Sequence, residues 1–427
     1  MTTSPGARRL ALDVLDRVLG RGLPFDETFA GHPRLADLAP RDRAFARLLV
    51  TTVLRRLGQI DALLDHFLRT RPKSLRVLDI MRLGAAQLVF LETPAHAAVA
   101  ESVALATGRE AYARALINAV LRRTAREGPD LVRQQDPERL NLPDWLWQCW
   151  TATYGEATTR AIAAVHLQEP PLDLTVKTEP EVWAGRLDGM HLVANTVRRP
   201  AGGSIEDLPG YDEGAWWVQD VAATLPAILL GDVRGRRVID LCAAPGGKTA
   251  QLAAAGAEVI AVELSPRRAE RLKANLERLR LNAEVVIADA LEWRPDEPVS
   301  LILLDAPCTA TGTIRRHPDI PWQKCPADVA RMAALQTRLL AAACAMLAPD
   351  GILIYASCSL QPEEGPQVIE SALAGGLPLE RLPVIADELE GLPVEISQAG
   401  DVRTLPCHLA GQGGMDGFFI ARLRRRA

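Results

Sequence analysis

No apolar run in the 427-residue chain approaches the roughly 20 residues that a bilayer-spanning helix needs. The segment from Met1 to Gly22 mixes arginines and aspartates with leucines, so neither a signal peptide nor an anchor is expected. Cysteine is sparse: seven, an odd number, lie scattered without metal-ligand spacing. That pattern supports neither a zinc site nor a disulfide framework, and it fits a reducing, cytoplasmic setting. Internal repeats and low-complexity tracts are lacking as well, which sets aside solenoids and largely disordered chains. What is present is an ordinary globular composition, 48% apolar and 24% charged. The length exceeds a single ordinary core, so two or three domains are expected.

Charge is unevenly placed. Up to Pro143 there are 22 Lys/Arg against 16 Asp/Glu; the remainder holds 27 against 37, giving the overall −4. The N-terminal third is basic in a mildly acidic protein. Solvated helix faces account for this as well as a nucleic-acid surface does.

Apolar residues recur at three-to-four spacing through Leu10, Val14, Leu15 and Val18, then Phe45, Leu48, Leu49, Val53 and Leu57, and again at Ile117, Val120 and Leu121. Breaks at Pro24, Pro33, Pro40, Pro72 and Pro94 mark helix ends. An all-α domain over residues 1–130 is expected, with Gly128-Pro129-Asp130 and the polar run to Pro143 as a linker. Residues 144–213 give mixed signals: Trp145, Leu146, Trp147 and Trp150 suggest a helix, and Leu172 to Val176 a strand. A small α+β segment is expected there.

Residues 214–427 read as strands alternating with helices. Val238–Leu241, Glu258–Val262, Val285–Ile287, Leu301–Leu304 and Gly351–Tyr355 are the strands, with helices over Arg267–Leu279 and Ala327–Leu347. This alternation predicts a parallel, doubly wound sheet with ligands at the strands' carboxyl ends. The first such end reads Asp240-Leu-Cys-Ala-Ala-Pro-Gly-Gly-Lys-Thr249. It is no phosphate loop, because Cys242 stands where that motif needs glycine. Gly246 and Gly247 let backbone approach a ligand closely. Glu263 ends the second strand, where a carboxylate accepts from ribose hydroxyls, and Asp289 follows the third, placed to meet an adenine edge. Asp305-Ala306-Pro307-Cys308 and Ser357-Cys358-Ser359 close the fourth and fifth. A single buried cysteine is more commonly a small apolar filler. Two at one ligand-binding edge point to a thiolate attacking a carbon electrophile.

These motifs resemble the S-adenosylmethionine-dependent RNA cytosine-5 methyltransferases, in particular the bacterial Sun-type branch acting on small-subunit ribosomal RNA. The resemblance rests on Val218-Gln219-Asp220, Asp240–Thr249, Asp305–Gly312, Ile314–Asp319, Tyr355–Ser359, Pro362-Glu363-Glu364 and Asp416-Gly417-Phe418-Phe419. His96–Val99 and Asn118–Arg123 resemble the NusB-type RNA-binding fold. Ser357 stands where many members have threonine, Glu263 where aspartate is commoner, Gly365 where asparagine is frequent, and Val176-Lys177 where arginine and asparagine are.

The resemblance implies a multidomain protein: an all-α NusB-like domain, a small α+β segment and a C-terminal α/β Rossmann-like methyltransferase domain. It implies methylation of cytosine C5 in 16S ribosomal RNA, at a cytidine of the position-967 type. Cys358 would attack C6, Asp305 would hydrogen-bond or protonate N3, and Cys308 would assist loss of the C5 proton and release of Cys358. Cys242, Ala243, Ala244, Pro245, Gly246, Gly247, Lys248, Glu263, Asp289 and Asp305 would hold S-adenosylmethionine. Lys248 and Arg315-Arg316 would orient the base or touch phosphates, or lie solvated; His317 would position a loop. The basic tail from Arg422 to Arg426 reads as a solvated end. Ribosomal RNA is the expected partner of a monomer without metal or membrane. The rivals are the same chemistry on transfer RNA, a non-catalytic ribosome-assembly factor, and an amino-group methyltransferase. The last two need neither cysteine.

Overall fold

The computed structural model describes residues 5–427. Two compact units emerge, one reaching to Leu167 and including Arg316–Lys324, the other formed by Gln168–Arg315 and Cys325–Ala427.

The first unit is helical, as expected. Its longer helices are Pro5–Arg21, Pro40–Arg55, Leu57–Phe67, Leu75–Val89, Ala95–Leu105 and Arg114–Arg133. Pro40 occupies a first helical turn, where the missing N–H costs nothing, while Pro24 and Pro94 immediately precede helices. Leu10, Val14, Leu49, Val53, Ile117 and Leu121 meet in one core, so the three-to-four spacing is the buried stripe of each helix.

Gly128-Pro129-Asp130 departs from the expected linker: the helix runs through it to Arg133. A β-carbon on Gly128 would come within 3.2 Å of Val89 Cγ2, so this glycine serves close helix packing. Leu131 and Val132 pack on the helical core beyond it, and that burial outweighs the local breaking signal. Asp144–Tyr154 and Glu156–His166 then add two further helices to the same unit. Segment Arg316–Lys324 is pinned there by Trp322 Nε1, which donates to Leu54 O at 2.9 Å, and by Phe25 N, which donates to Asp319 Oδ2 at 3.0 Å.

The second unit begins with a small antiparallel sheet: β1 (Leu172–Val176), β2 (Met190–His191), β3 (Thr196–Arg199) and β4 (Trp216–Val218) in the order β2-β3-β1-β4. The main sheet holds β5 (Arg237–Leu241), β6 (Glu258–Glu263), β7 (Glu284–Ile287), β8 (Val299–Asp305) and β9 (Leu347–Ser357). It continues with β10 (Leu379–Arg381), β11 (Glu395–Ile396), β12 (Val402–Thr404) and β13 (Phe418–Arg425). The order is β11-β12-β13-β9-β8-β5-β6-β7, with β10 on β13. Strands β9, β8, β5, β6 and β7 run parallel, and Leu301–Leu304 of β8 are wholly buried, as a strand covered on both faces requires.

The antiparallel extension was not expected. β13 pairs antiparallel with β9, and what reads as a basic tail is its far end. Arg422 is bound by Glu388 and Arg424 by Glu380, so these arginines are paired within the sheet region. Chain order reverses between β5 and β8, which places the switch-point crevice at the ends of those two strands.

Candidate active site

The turn after β5 is strained by design of its sequence. Cys242 has φ +61° and Gly246 φ +101°. A β-carbon on Gly246 would stand 3.0 Å from Leu272 Cγ on helix Pro266–Leu279. This glycine therefore answers to backbone conformation and helix packing. At Gly247 an added β-carbon would make only an ordinary contact, 3.7 Å from the Gln219 side chain. Glu263, 2% exposed, accepts from Ala244 N at 3.2 Å and Ser265 N at 2.9 Å. Asp289 accepts from Leu291 N at 2.9 Å. Each carboxylate thus braces a turn, with lone-pair directions left over for hydroxyl or amino donors. Asn275 Nδ2 holds Pro245 O at 3.2 Å and completes the rim. A glycine turn flanked by two acceptor carboxylates suits an adenosine-bearing donor.

Two neighbouring groups are interior. Asp240 is fully buried, accepts from Thr249 Oγ1 at 2.6 Å, and is pushed by burial up to about 7. Burial, reinforced by Asp305 and Glu263, pushes the Cys242 thiol up to about 12, so that sulfur stays protonated. Cys242 contributes its backbone turn.

β8 and β9 are adjacent and in parallel register, Asp305 opposite Ala356. The loops that leave them bring Cys308 Sγ and Cys358 Sγ to 3.4 Å, both half-buried. Lys248 Nζ donates to Asp305 Oδ2 at 2.7 Å and lies 5.1 Å from the Phe418 ring centre. Burial depresses Lys248, but Asp305 and, more weakly, Cys358 and Asp240 raise it overall, so it remains an ammonium. The Cys358 thiol is held well above its ordinary range, first by its hydrogen bond with Cys308, then by burial and by Asp305; Lys248 pulls the other way. The structure therefore brings together Cys358, Cys308, Asp305 and Lys248.

Arg315 does not lie solvated or reach for phosphate. It is 1% exposed, donates to Asp416 Oδ1 at 3.1 Å, and is bound by Asp220, which also accepts from Asp416 N at 2.9 Å. Three separated motif segments are thereby one buried ion cluster. His317 Nδ1 lies 3.0 Å from Asp26 Oδ2 within the helical unit, and this contact holds Asp26 below the ordinary carboxylate range against the effect of burial. Lys177 donates to Leu279 O, which occupies its head group.

Two supports escaped sequence reasoning. Gly312 N donates to Cys358 O at 2.9 Å, and Gly417 N to Gly312 O at 2.8 Å; a β-carbon on Gly312 would fall 2.0 Å from Gly417 O. Glu364 sits at the centre of a buried hydroxyl cluster beside both cysteines. Its motif was visible, but nothing in Pro362-Glu363-Glu364 says which carboxylate turns inward.

A nucleotide-type crevice with two thiols beside it outlines a transferase that takes an adenosine-bearing donor, and comparison with known proteins makes it particular. The family model for 16S rRNA methyltransferase RsmB/F matches residues 227–424, and that of the NusB family residues 5–126. "Ribosomal RNA small subunit methyltransferase B" of Sodalis glossinidius is 35% identical, covering 99% of this chain and 98% of its own. A methyltransferase homologue from Pyrococcus horikoshii is 27% identical with a TM-score of 0.53, over 69% of this chain and 97% of that one. NSun6 from the same organism, solved with SFG, has a TM-score of 0.58 at 20% identity, over 67% and 98%, and shares the fold.

The chain belongs to the 16S rRNA methyltransferase RsmB/F family. It is an S-adenosylmethionine-dependent enzyme that methylates cytosine C5 in small-subunit ribosomal RNA, with a NusB-family helical part.

Among the described residues, no helix is long and apolar enough to cross a membrane, and no group of three or more His, Cys, Asp or Glu is placed to hold a metal.

Proposed function

We propose that the enzyme works through a covalent Cys358–cytosine intermediate, on a cytidine of the position-967 type in 16S ribosomal RNA, as a cytoplasmic monomer. The observation that carries the reading is the pair of half-buried thiols 3.4 Å apart, beside the Lys248–Asp305 ion pair. C5 of cytosine is a poor nucleophile until C6 is saturated. Cys358 sulfur, once deprotonated, forms a bond to C6, and the C5=C6 electron pair shifts through C4 to N3. Asp305, ion-paired with Lys248, relays to N3 the proton that Cys358 gives up, and Lys248 stabilises the carboxylate that re-forms. When bound, S-adenosylmethionine supplies an electrophilic methyl group to the C5 carbon so activated. Cys308, having released its own proton to solvent, then takes the C5 proton, the C5=C6 bond re-forms, and Cys358 leaves as thiolate, regaining through Asp305 the proton that N3 gives back. Positioning carries much of the rate, because the reacting atoms must meet in line. The cytidine enters the crevice unstacked from its neighbours.

Gly246, Gly247 and the Cys242–Pro245 backbone would line the donor's site, with Glu263 and Asp289 taking its hydroxyl and amino donors. The test uses the Cys308→Ala and Cys358→Ala enzymes with donor and unmodified 16S RNA. Cys308→Ala is expected to accumulate a denaturant-stable protein–RNA adduct, and Cys358→Ala to form neither adduct nor product. Normal methylation by Cys358→Ala would overturn the proposal.

A further inference from the structure

Glu364 has no part in the chemistry above, yet it is fully buried next to it. Its carboxylate accepts from Thr309 N at 2.8 Å and from the Thr309 hydroxyl; Ser359 Oγ donates at 2.6 Å, and Gln336 Nε2 at 3.4 Å. Thr309 directly follows Cys308, and Ser359 directly follows Cys358. Gln336 Nε2 also donates to Pro307 O at 2.8 Å, on the other side of Cys308. Glu364 is itself fixed, since Tyr355 Oη donates to its carbonyl at 3.0 Å and Tyr355 is fully buried.

One side chain thus grips the residues adjoining both thiols. Four donors converge on it, and only an acceptor-only group satisfies them all at once. Hydrogen bonds to a carboxylate are short and directional, which suits a clamp. Burial raises the Glu364 acid, and the donors from Ser359 and Thr309 oppose that rise.

We propose that Glu364 is a positioning residue that sets the separation and aim of Cys308 and Cys358, and through them the hand-over from attack to release. This rests on the covalent reading above. Supporting groups of this kind matter because displacements near 1 Å slow reactions about 100-fold. Glu364→Gln keeps the shape but turns two N–H donors toward hydroxyls that now donate.

The experiment begins with a readout independent of turnover. Wild type and Glu364→Gln are treated with an azodicarboxamide oxidant. The two thiols give up two protons and two electrons, reducing its N=N bond to the hydrazine as a Cys308–Cys358 disulfide forms. Wild type is expected to close this disulfide quickly and Glu364→Gln about tenfold more slowly. In methylation assays the variant is expected to lose kcat about tenfold with KM for S-adenosylmethionine within twofold, and to hold more adduct than wild type. If Glu364→Gln does not fold, Thr309→Val and Ser359→Ala each remove one donor hydroxyl and are expected to slow closure severalfold. Closure and turnover at wild-type rates in these variants would overturn the inference. Failure of the covalent reading looks different: Cys358→Ala would methylate whatever Glu364 does.

Discussion

In the proposed mechanism the Cys358 sulfur enters as a thiolate, whereas its surroundings keep the proton on. Its hydrogen bond with Cys308 is the largest influence, with burial and Asp305 adding to it. The thiolate fraction therefore grows as pH rises, and alkylation of Cys358 by iodoacetamide is expected to accelerate steadily from pH 7 to pH 9, read by peptide mass spectrometry. Cys308→Ala removes the leading upward influence, so the same profile is expected to move to lower pH. An unmoved profile would show that Cys308 does not govern that proton. Lys248 acts on the other partner: Lys248→Met strips Asp305 of its counter-charge and is expected to lower kcat about 100-fold while the variant still binds donor. The places of Asp305, Cys308 and Cys358 at one sheet edge were legible before the fold because strand ends mark themselves by a hydrophobic run followed by a polar residue, whereas their separate roles are what the family resemblance implies. Arg315 was not legible in this way. Its partners Asp220 and Asp416 lie 95 and 101 residues distant in sequence, and only the folded chain brings them together.

At the level of elements, the loops after β8 and β9 depend on a glycine contact that no Cβ could share. Gly312→Ala would force its methyl against Gly417 O and push the Cys358 backbone aside. Loss of activity of about 100-fold is expected, and retention of near-wild-type rates would show the loops to be more pliant. The buried Arg315 cluster makes a matching prediction in stability. Arg315→Met leaves two carboxylates without their cation and is expected to cost about 3–5 kcal/mol in urea unfolding of the second unit. A change below about 1 kcal/mol would contradict that account. The parallel strands were legible because their apolar runs are uninterrupted between helices of clear period. β13 was not, since arginines at 422, 424 and 425 disguise it, and the neutralisation of Arg422 by Glu388 and of Arg424 by Glu380 depends on tertiary pairing. The continuous helix through Pro129 was hidden for the converse reason: packing of Gly128 and Leu131 overrides a local breaker.

For the molecule as a whole, charge and segment placement matter most. The basic N-terminal third carries exposed Arg109 and Arg122, for which no ion pair forms among the described residues. If they meet phosphates, replacing each with serine is expected to flatten the log–log salt dependence of RNA affinity by roughly 0.7–0.9. An unchanged slope would leave them as solvated charges. The central claim is a bond between one sulfur and one pyrimidine carbon, and mass spectrometry of the adduct reads it directly. RNA-linked peptide from Cys308→Ala enzyme, digested by trypsin and nuclease, is expected to carry a methylated cytidine on Cys358. A nucleotide mapped to any other residue, or no linked peptide under turnover conditions, would contradict the account.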